Sequence, residues 1–319
     1  MKRIGVLTSG GDAPGMNAAV RAVTRAAIRK GYEVVGIQRG YNGLLNGETV
    51  NLEVRDVSNI IQRGGTVLYT ARCLEFKEWD YVLKAKKRCD ELDLVGIVVI
   101  GGDGSFRGAA DLSKAGVPCI GLPGTIDNDI ACTDYTIGYD TAMNTAMEMV
   151  DKIRDTAMSH DRCSVVEVMG RNAGWIALNV GMAVGAMAIM TSEISSSIDD
   201  IVAKMEKSKK DKKQHFIIVV SEGVGGSEGI AKEIEKRTGI ESRATILGHV
   251  QRGGSPTLRD RVVASEMGYY AVDLLDQGIG NRVVAMKDNK IVDFDIKEAL
   301  AMKKPFDENL YNIANEISF

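Results

Sequence analysis

Two loops in the stretch from Leu94 to Asp129 hold the residues best suited to chemistry. One is Gly101-Gly102-Asp103-Gly104-Ser105; the other offers Thr125, Asp127, Asn128 and Asp129. Glycines let backbone N–H groups approach phosphate oxygens, and a helix starting at such a loop adds the positive end of its dipole. Carboxylates nearby suit a hydrated magnesium ion or a base that accepts a proton. Together these are the ingredients of phosphoryl transfer.

Positioning the two loops falls to an apolar strand (Leu94–Ile100), a short helix and a second strand (Val117–Leu122). A right-handed crossover between parallel neighbours would put both loops at one sheet edge. A similar unit opens the chain: Ile4–Thr8 runs into SGGDAPGMNAAVRAVTRAAIRKG, with Pro14 near a helix start and Gly31 at its end. Gly10 and Gly11 thereby become candidate phosphate contacts, although a plain tight turn accounts for them equally well. The pattern is neither GxGxxG nor a P-loop, so no dinucleotide or Walker-type fingerprint is present.

Apolar runs alternate with amphipathic segments almost throughout, as in an α/β protein with a largely parallel sheet. Further strands are expected at Glu33–Ile37, Val67–Thr70, Ser164–Met169, Phe216–Val220 and Arg243–Leu247. Val283–Met286 and Lys290–Val292 read as a hairpin about Asp288-Asn289. Helices are expected over Trp79–Leu92, Gly138–Met158, Ala173–Ala186, Ile198–Lys213, Ser227–Thr238 and Thr257–Asp276, with one more closing the chain. GYNGLLNGETVNL reads as an irregular excursion or hairpin, and Met143, Met147, Met182, Met187 and Met190 read as core filler. Arg72, just past an expected strand end, suits a phosphate or a plain surface position.

At 319 residues the chain exceeds the usual single-core limit of about 250–300, so two lobes are expected. Lys and Arg number 40 against 43 Asp and Glu, a net charge of −3, which argues against a broadly nucleic-acid-binding surface. The five cysteines (Cys73, Cys89, Cys119, Cys132, Cys163) are odd in number and form no CxxC pair. They suit a reduced cytoplasmic setting rather than a zinc site or a disulfide framework. MKRIGVLTSGGD is already a strand and turn rather than a signal peptide, and no apolar run reaches the roughly 18–20 residues of a membrane span. A soluble intracellular protein with no membrane partner is expected.

With GGDGS, PGTIDND, MGR and GHVQRGGSP in view, the sequence resembles the bacterial ATP-dependent 6-phosphofructokinase family over essentially its whole length. The resemblance implies an α/β fold of two doubly wound, Rossmann-like lobes with largely parallel sheets. Residues 1–138 plus 252–304 would bind ATP, and residues 139–251 plus 305–319 would bind fructose 6-phosphate. It implies a glycolytic kinase that moves a phosphoryl group from MgATP to the 1-hydroxyl of D-fructose 6-phosphate, giving fructose 1,6-bisphosphate and ADP. A cytoplasmic homotetramer with shared active sites is implied as well.

The resemblance also carries roles for single residues. Asp127 would take the proton of the attacking hydroxyl, Thr125 would orient the transferred group, and Arg171 would spread positive charge over it. Gly11, Arg72, Cys73, Gly102, Asp103, Gly104 and Ser105 match nucleotide-binding positions, with Asp103 the magnesium-linked carboxylate. Sugar-binding positions are Thr125, Ile126, Asp127, Arg162, Met169, Gly170, Arg171, Glu222, Arg243, His249, Val250, Gln251 and Arg252. In the family, Arg162 and Arg243 come from a neighbouring subunit. By residue type alone Asp129 reads as a capping or solvated carboxylate, and His249 as a core or capping histidine.

Pyrophosphate-dependent relatives typically carry Asp in place of Gly104 and Lys in place of Gly124; both positions are glycine here, which points to ATP. Arg21, Arg25, Arg154, Gly185, Lys213 and His215 match allosteric effector positions. Met187 stands where a carboxylate is common and Asp211 where a cation is usual, while Val54 and Asn59 replace charged residues of some members. Weak or altered control by ADP and phosphoenolpyruvate is therefore expected. Trp175 stands where several bacterial members carry Asp. GGDG is also shared by lipid and NAD kinases, against which PGTIDND and GHVQRGG weigh. Retained Asp103, Thr125, Asp127 and Arg171 weigh against a sensor that binds without catalysis.

Overall fold

A computed structural model describes residues 2–318. The chain forms two compact units. The first holds the residues up to Ile126, Ile130–Thr141 and Arg252–Lys304; the second holds Asp127–Asp129, Ala142–Gln251 and the segment from Pro305 onward. The chain passes between units after Thr141 rather than at 138, because the Thr141 amide and hydroxyl both bind Asp260, a first-unit residue. Asp127–Asp129 group with the second unit instead of the first. Met1 and Phe319, which the expected lobes included, lie outside the described residues.

In the first unit the chain runs β1 (Arg3–Thr8), α1 (Met16–Arg29), β2 (Glu33–Ile37), α2 (Gly40–Asn46), β3 (Thr49–Leu52), α3 (Trp79–Glu91), β4 (Leu94–Gly101), α4 (Asp103–Lys114) and β5 (Cys119–Pro123). α5 (Tyr139–Ser159) leads into the second unit, which adds β6 (Cys163–Val168), α6 (Trp175–Ala183), β7 (Ala188–Met190), α7 (Ile198–Lys210), β8 (Phe216–Ser221), α8 (Ser227–Thr238) and β9 (Ser242–Ile246). The chain then returns to the first unit with α9 (Leu258–Asp276), β10 (Arg282–Lys287), β11 (Lys290–Asp295) and α10 (Ile296–Ala301). It ends in the second with α11 (Glu308–Glu316).

The first unit's seven-stranded sheet has the order β11-β10-β5-β4-β1-β2-β3. Its interior is parallel, and only the edge strands β3 and β11 pair antiparallel. Parallel strands covered on both faces read as unbroken apolar runs, which is why Ile97, Val98, Val99 and Ile100 are all 0% exposed. Each such side chain contributes about 1.5–3 kcal/mol on burial. Residues 67–70, expected as a strand, are irregular. Their polar groups serve loops instead: the Leu68 carbonyl accepts from the Arg39 amide, and the Thr70 hydroxyl donates to the Gly10 carbonyl. GYNGLLNGETVNL folds as α2, burying Leu44 and Leu45, followed by β3.

The second unit's sheet, β7-β8-β6-β9, is entirely parallel. α6 is shorter than the expected 173–186 segment, and β7 follows it as an additional strand. Met187 and Met190 are buried in this core, whereas Met143, Met147 and Met182 are only half-buried. Met143 and Met147 line a groove of about 230 Å³ with Asn144, Asn179, Val180 and Ala183, so they are not core filler. The C-terminal segment docks through aromatic rings: Phe306 lies 5.6 Å from Trp175 and 6.3 Å from Tyr311 between centroids. Among the described residues no helix is long and apolar enough to cross a membrane.

Candidate active site

In the first unit the loops after β1, β4 and β5 emerge at the carboxyl ends of parallel strands. Those after β1 and β4 flank the point where the strand order reverses, the usual ligand position in such sheets. Gly10 has φ +88, which suits glycine. A Cβ on Gly101 would lie 2.4 Å from Ser105 Oγ and 2.5 Å from the Ser9 carbonyl, so the β1 and β4 loops meet only with glycine there. The Ser105 hydroxyl donates to the Ser9 carbonyl at 3.1 Å, bracing one loop on the other. Arg72 and Cys73 follow Thr70, whose bond to Gly10 brings them toward the same edge. Cys73 is half-buried, and burial pushes its thiol pKa up.

Asp103 heads α4, where a carboxylate favours the helix dipole, and Arg107 approaches it to 3.8 Å. Among the described residues no group of three or more His, Cys, Asp or Glu side chains could hold a metal. The exposed Asp103 carboxylate is the kind of single oxygen donor that a magnesium ion takes beside phosphate oxygens and water. Arg252, expected on the sugar phosphate, leans on the β1 loop: its Nη1 donates to the Asp12 carbonyl at 3.1 Å, and a Cβ on Gly11 would sit 2.4 Å from that nitrogen. Thr125 follows β5, and Gly124 just before it donates to the Gly101 carbonyl at 2.9 Å. Ile126 is fully buried.

In the second unit Asp127 is 2% exposed, and Arg171 Nε lies 3.8 Å from its Oδ2. Arg171 occupies left-handed backbone (φ 54), and Gly170 before it has φ 142. A Cβ on Gly170 would lie 2.5 Å from the Ala173 carbonyl. The turn is held at four points. The Met169 amide donates to Gln251 Oε1, the Arg171 amide to Glu222 Oε2 and the Gly174 amide to Glu193 Oε1, each at 2.8 Å, while Ser192 Oγ donates to the Asn172 carbonyl at 2.9 Å. Gln251 is wholly buried, whereas His249 and Val250 beside it are exposed. All follow β9, whose parallel register with β6 puts both strand ends at one edge.

Arg162 and Arg243 do not join this group. Arg162 precedes β6, and Arg243 pairs with Ser164 at the start of that strand. Both share the Glu241 carboxylate at 2.8 Å, and these bonds hold Glu241 below its usual pKa. Met169–Arg171 lie past the other end of β6, roughly 20 Å away at 3.3 Å per residue. Of the expected effector residues, Arg154, Lys213 and His215 gather in the second unit. Burial first, then Arg154, lowers the pKa values of Lys213 and His215, and Lys213 lowers His215 further. Arg154 donates to the Val184 carbonyl, beside Gly185 at φ 59. Arg21 and Arg25 lie on α1 in the first unit; burial and then Arg25 lower Arg21. Met187 is packed in the second unit's core, and Asp211 is exposed at the end of α7.

Ser192 and Glu193 carry no local signature: a serine and a glutamate past a short strand look like any solvated loop. Only the fold shows that they hold the Arg171 turn.

The family described as phosphofructokinase matches residues 3–275 of the chain. A protein of Clostridium perfringens named ATP-dependent 6-phosphofructokinase 1 is 57% identical over 318 residues, covering 100% of both chains. A Clostridium botulinum protein named ATP-dependent 6-phosphofructokinase is 56% identical, again over 100% of both. Among solved structures, phosphofructokinase from Saccharomyces cerevisiae superposes with a TM-score of 0.89 at 33% identity, over 100% of this chain and 48% of that longer one. The two doubly wound units, with glycine loops at one switch point and a buried carboxylate beside an arginine, are those of a sugar-phosphate kinase fold. The chain belongs to the phosphofructokinase family.

Proposed function

We propose that the chain transfers the γ-phosphoryl group of ATP to the 1-hydroxyl of fructose 6-phosphate, with Asp127 as the base. The observation that carries this is the buried Asp127 carboxylate 3.8 Å from Arg171, on a turn held at four backbone points. Full-length identity to relatives named ATP-dependent 6-phosphofructokinase supports the substrates. The sugar O1–H bond breaks and its proton passes to Asp127. O1 forms a bond to the γ-phosphorus, and the bond from phosphorus to the β–γ bridging oxygen breaks, so that ADP leaves with the electron pair. A loose transition state needs alignment and charge cover more than covalent help. Arg171 supplies cover and Thr125 aligns the group in flight.

The first unit takes the nucleotide through backbone N–H groups near Gly11, Gly102 and Gly104, with Arg72, Cys73 and Ser105 bordering it. Asp103 would hold a magnesium ion, which supplies charge neutralisation among the phosphate oxygens when bound. The second unit takes the sugar through Met169, Gly170, Arg171, Glu222, His249, Val250 and Gln251, and Arg252 adds a planar fork for the 6-phosphate. Arg162 and Arg243 serve the sugar phosphate of a neighbouring copy in a homotetramer; their place at the far end of β6 from Arg171 supports this. The protein works in the cytoplasm. Buried thiols pushed up to about 12 at Cys89, Cys119 and Cys163 suit reduced, inert cysteines. Arg21, Arg25, Arg154, Gly185, Lys213 and His215 bind an anionic effector, less tightly for carrying Met187 and Asp211.

A coupled assay of ADP release with fructose 6-phosphate tests the activity, run in parallel with pyrophosphate as donor. Turnover is expected with ATP and not with pyrophosphate. Turnover with pyrophosphate alone would overturn the donor assignment, and none with fructose 6-phosphate would overturn the acceptor.

A further inference from the structure

The segment that carries Thr125 is held from behind by groups that take no part in the chemistry above. Thr136 is fully buried, and its hydroxyl donates to the Thr125 carbonyl at 2.6 Å. Residues on either side of Thr136 are themselves fixed. The Ile137 amide donates to the Pro123 carbonyl at 2.8 Å, and Ile137 forms an isolated parallel bridge with Gly124. The Tyr135 hydroxyl and the Gly138 amide (2.7 Å) both donate to Asp260 Oδ1. Asp260 Oδ2 accepts from the Thr141 amide at 2.9 Å and from the Thr141 hydroxyl.

Asp260 is thus a wholly buried carboxylate with four donors, two on each oxygen. Such a saturated carboxylate holds its donors firmly, since moving any one of them leaves a lone pair of a buried carboxylate unsatisfied. Arg259 lies over the Tyr135 ring at 4.5 Å from its centroid and closes the outer side. Thr257 caps α9 by accepting from the Asp260 amide at 3.3 Å, so the cluster rests on the start of a long helix. The chain of bonds runs from α9 through Asp260 to residues 135–138, and from Thr136 to the Thr125 carbonyl.

That carbonyl belongs to the planar peptide joining Thr125 to Ile126. Holding its oxygen sets ψ of Thr125 and φ of Ile126 together. It therefore holds the backbone from which the Thr125 side chain projects. We propose that Thr136, braced by the buried Asp260 cluster, is a positioning residue for phosphoryl transfer that fixes the Thr125–Ile126 peptide and with it the aim of Thr125. The proposal rests on the catalytic role given above to Thr125. Reacting groups misplaced by 1 Å can lose about a hundredfold in rate, so a few tenths of an ångström should cost about tenfold.

Two substitutions separate the hydroxyl from the space it fills. Thr136→Val keeps the shape and removes the donor; Thr136→Ser keeps the donor and removes the methyl group. With ATP and fructose 6-phosphate, kcat of Thr136→Val is expected to fall about tenfold with both KM values within about twofold. Thr136→Ser should stay within about twofold of the parent protein. A parent-like kcat in Thr136→Val would overturn the proposal, as would equal losses in both variants. Amide hydrogen exchange over residues 124–128 reads the same bond without activity. Exchange should quicken in Thr136→Val and not in Thr136→Ser, and identical exchange in all three proteins would refute the brace. An Asp127→Asn variant with intact kcat would instead remove the base role while leaving the exchange result to stand or fall separately.

Discussion

Replacing Gly104 by aspartate isolates the choice of phosphoryl donor. A Cβ at Gly104 meets nothing within 4 Å, and the residue is exposed in the first turn of α4. The folded chain therefore accepts the side chain without strain. A carboxylate near a helix N-terminus also gains about 0.3–1 kcal/mol from the dipole, so Tm should hold or rise slightly. Against a nucleotide phosphate about 4 Å away, the added charge costs about 1 kcal/mol in bulk water and about 4 kcal/mol near a protein surface. Exposure at Gly104 favours the lower part of that range, about 1–2 kcal/mol, or roughly a 5- to 30-fold rise in the KM for ATP. Steady-state titration of ATP at saturating fructose 6-phosphate, with a thermal melt of the same sample, measures both effects. An unchanged KM with an unchanged melt would refute the argument that glycine here admits the nucleotide. Gly124 is a poorer probe, because its Cβ would come within 3.0 Å of Ile100 Cγ2 and 3.2 Å of Met16 Cε, both in buried residues. A lysine there would mix overpacking, typically about 1–3 kcal/mol, with any effect of charge.

Glu193→Ala frees the Gly174 amide and should lower kcat roughly fivefold, the worth of about 1 kcal/mol for one hydrogen bond. Glu193→Gln keeps an oxygen acceptor and should approach the parent rate; equal losses in both would mean that charge, not the bond, matters. The third prediction concerns pH. Burial, Arg154 and Lys213 depress the His215 pKa, so the folded imidazole is neutral at neutral pH. The unfolded chain binds that proton first, so His215 costs stability as pH falls from about 6.5 toward its folded value. The gained charge favours anions, and phosphoenolpyruvate should shift fructose 6-phosphate saturation little at pH 8 and more at pH 6. A large shift at pH 8, or an identical pH dependence in His215→Asn, would contradict this.

Alternation of strand and helix is legible in the sequence because parallel strands buried on both faces leave continuous apolar runs such as LVGIVVIG, and helices leave their own period. β7 is not legible: Ala188–Met190 lies in a run of small and apolar residues that continues from α6, and the one glycine at the break, Gly185 at φ 59, looks like any other small residue of that run. Residues 67–70 mislead for the opposite reason. Their apolar and β-prone side chains serve burial of Leu68, while their backbone groups bond to loops rather than to a ladder. Within the candidate site, compact motifs single out Asp127 and Arg171 as candidates, and the fold puts these two side chains 3.8 Å apart. Supports that act across long separations cannot be singled out this way. Glu193 reaches Gly174, and Asp260 reaches Tyr135 and Thr141, only because the sheets bring distant loops together.

The central claim is that Asp127 takes the proton of the sugar hydroxyl as ATP gives up its γ-phosphoryl group. Asp127→Asn keeps the size of a residue that is 2% exposed while removing its capacity as a base. Its kcat with fructose 6-phosphate and ATP should fall by about 10²–10⁴, with the KM for ATP changed by no more than about twofold. A kcat within about tenfold of the parent protein would contradict the account.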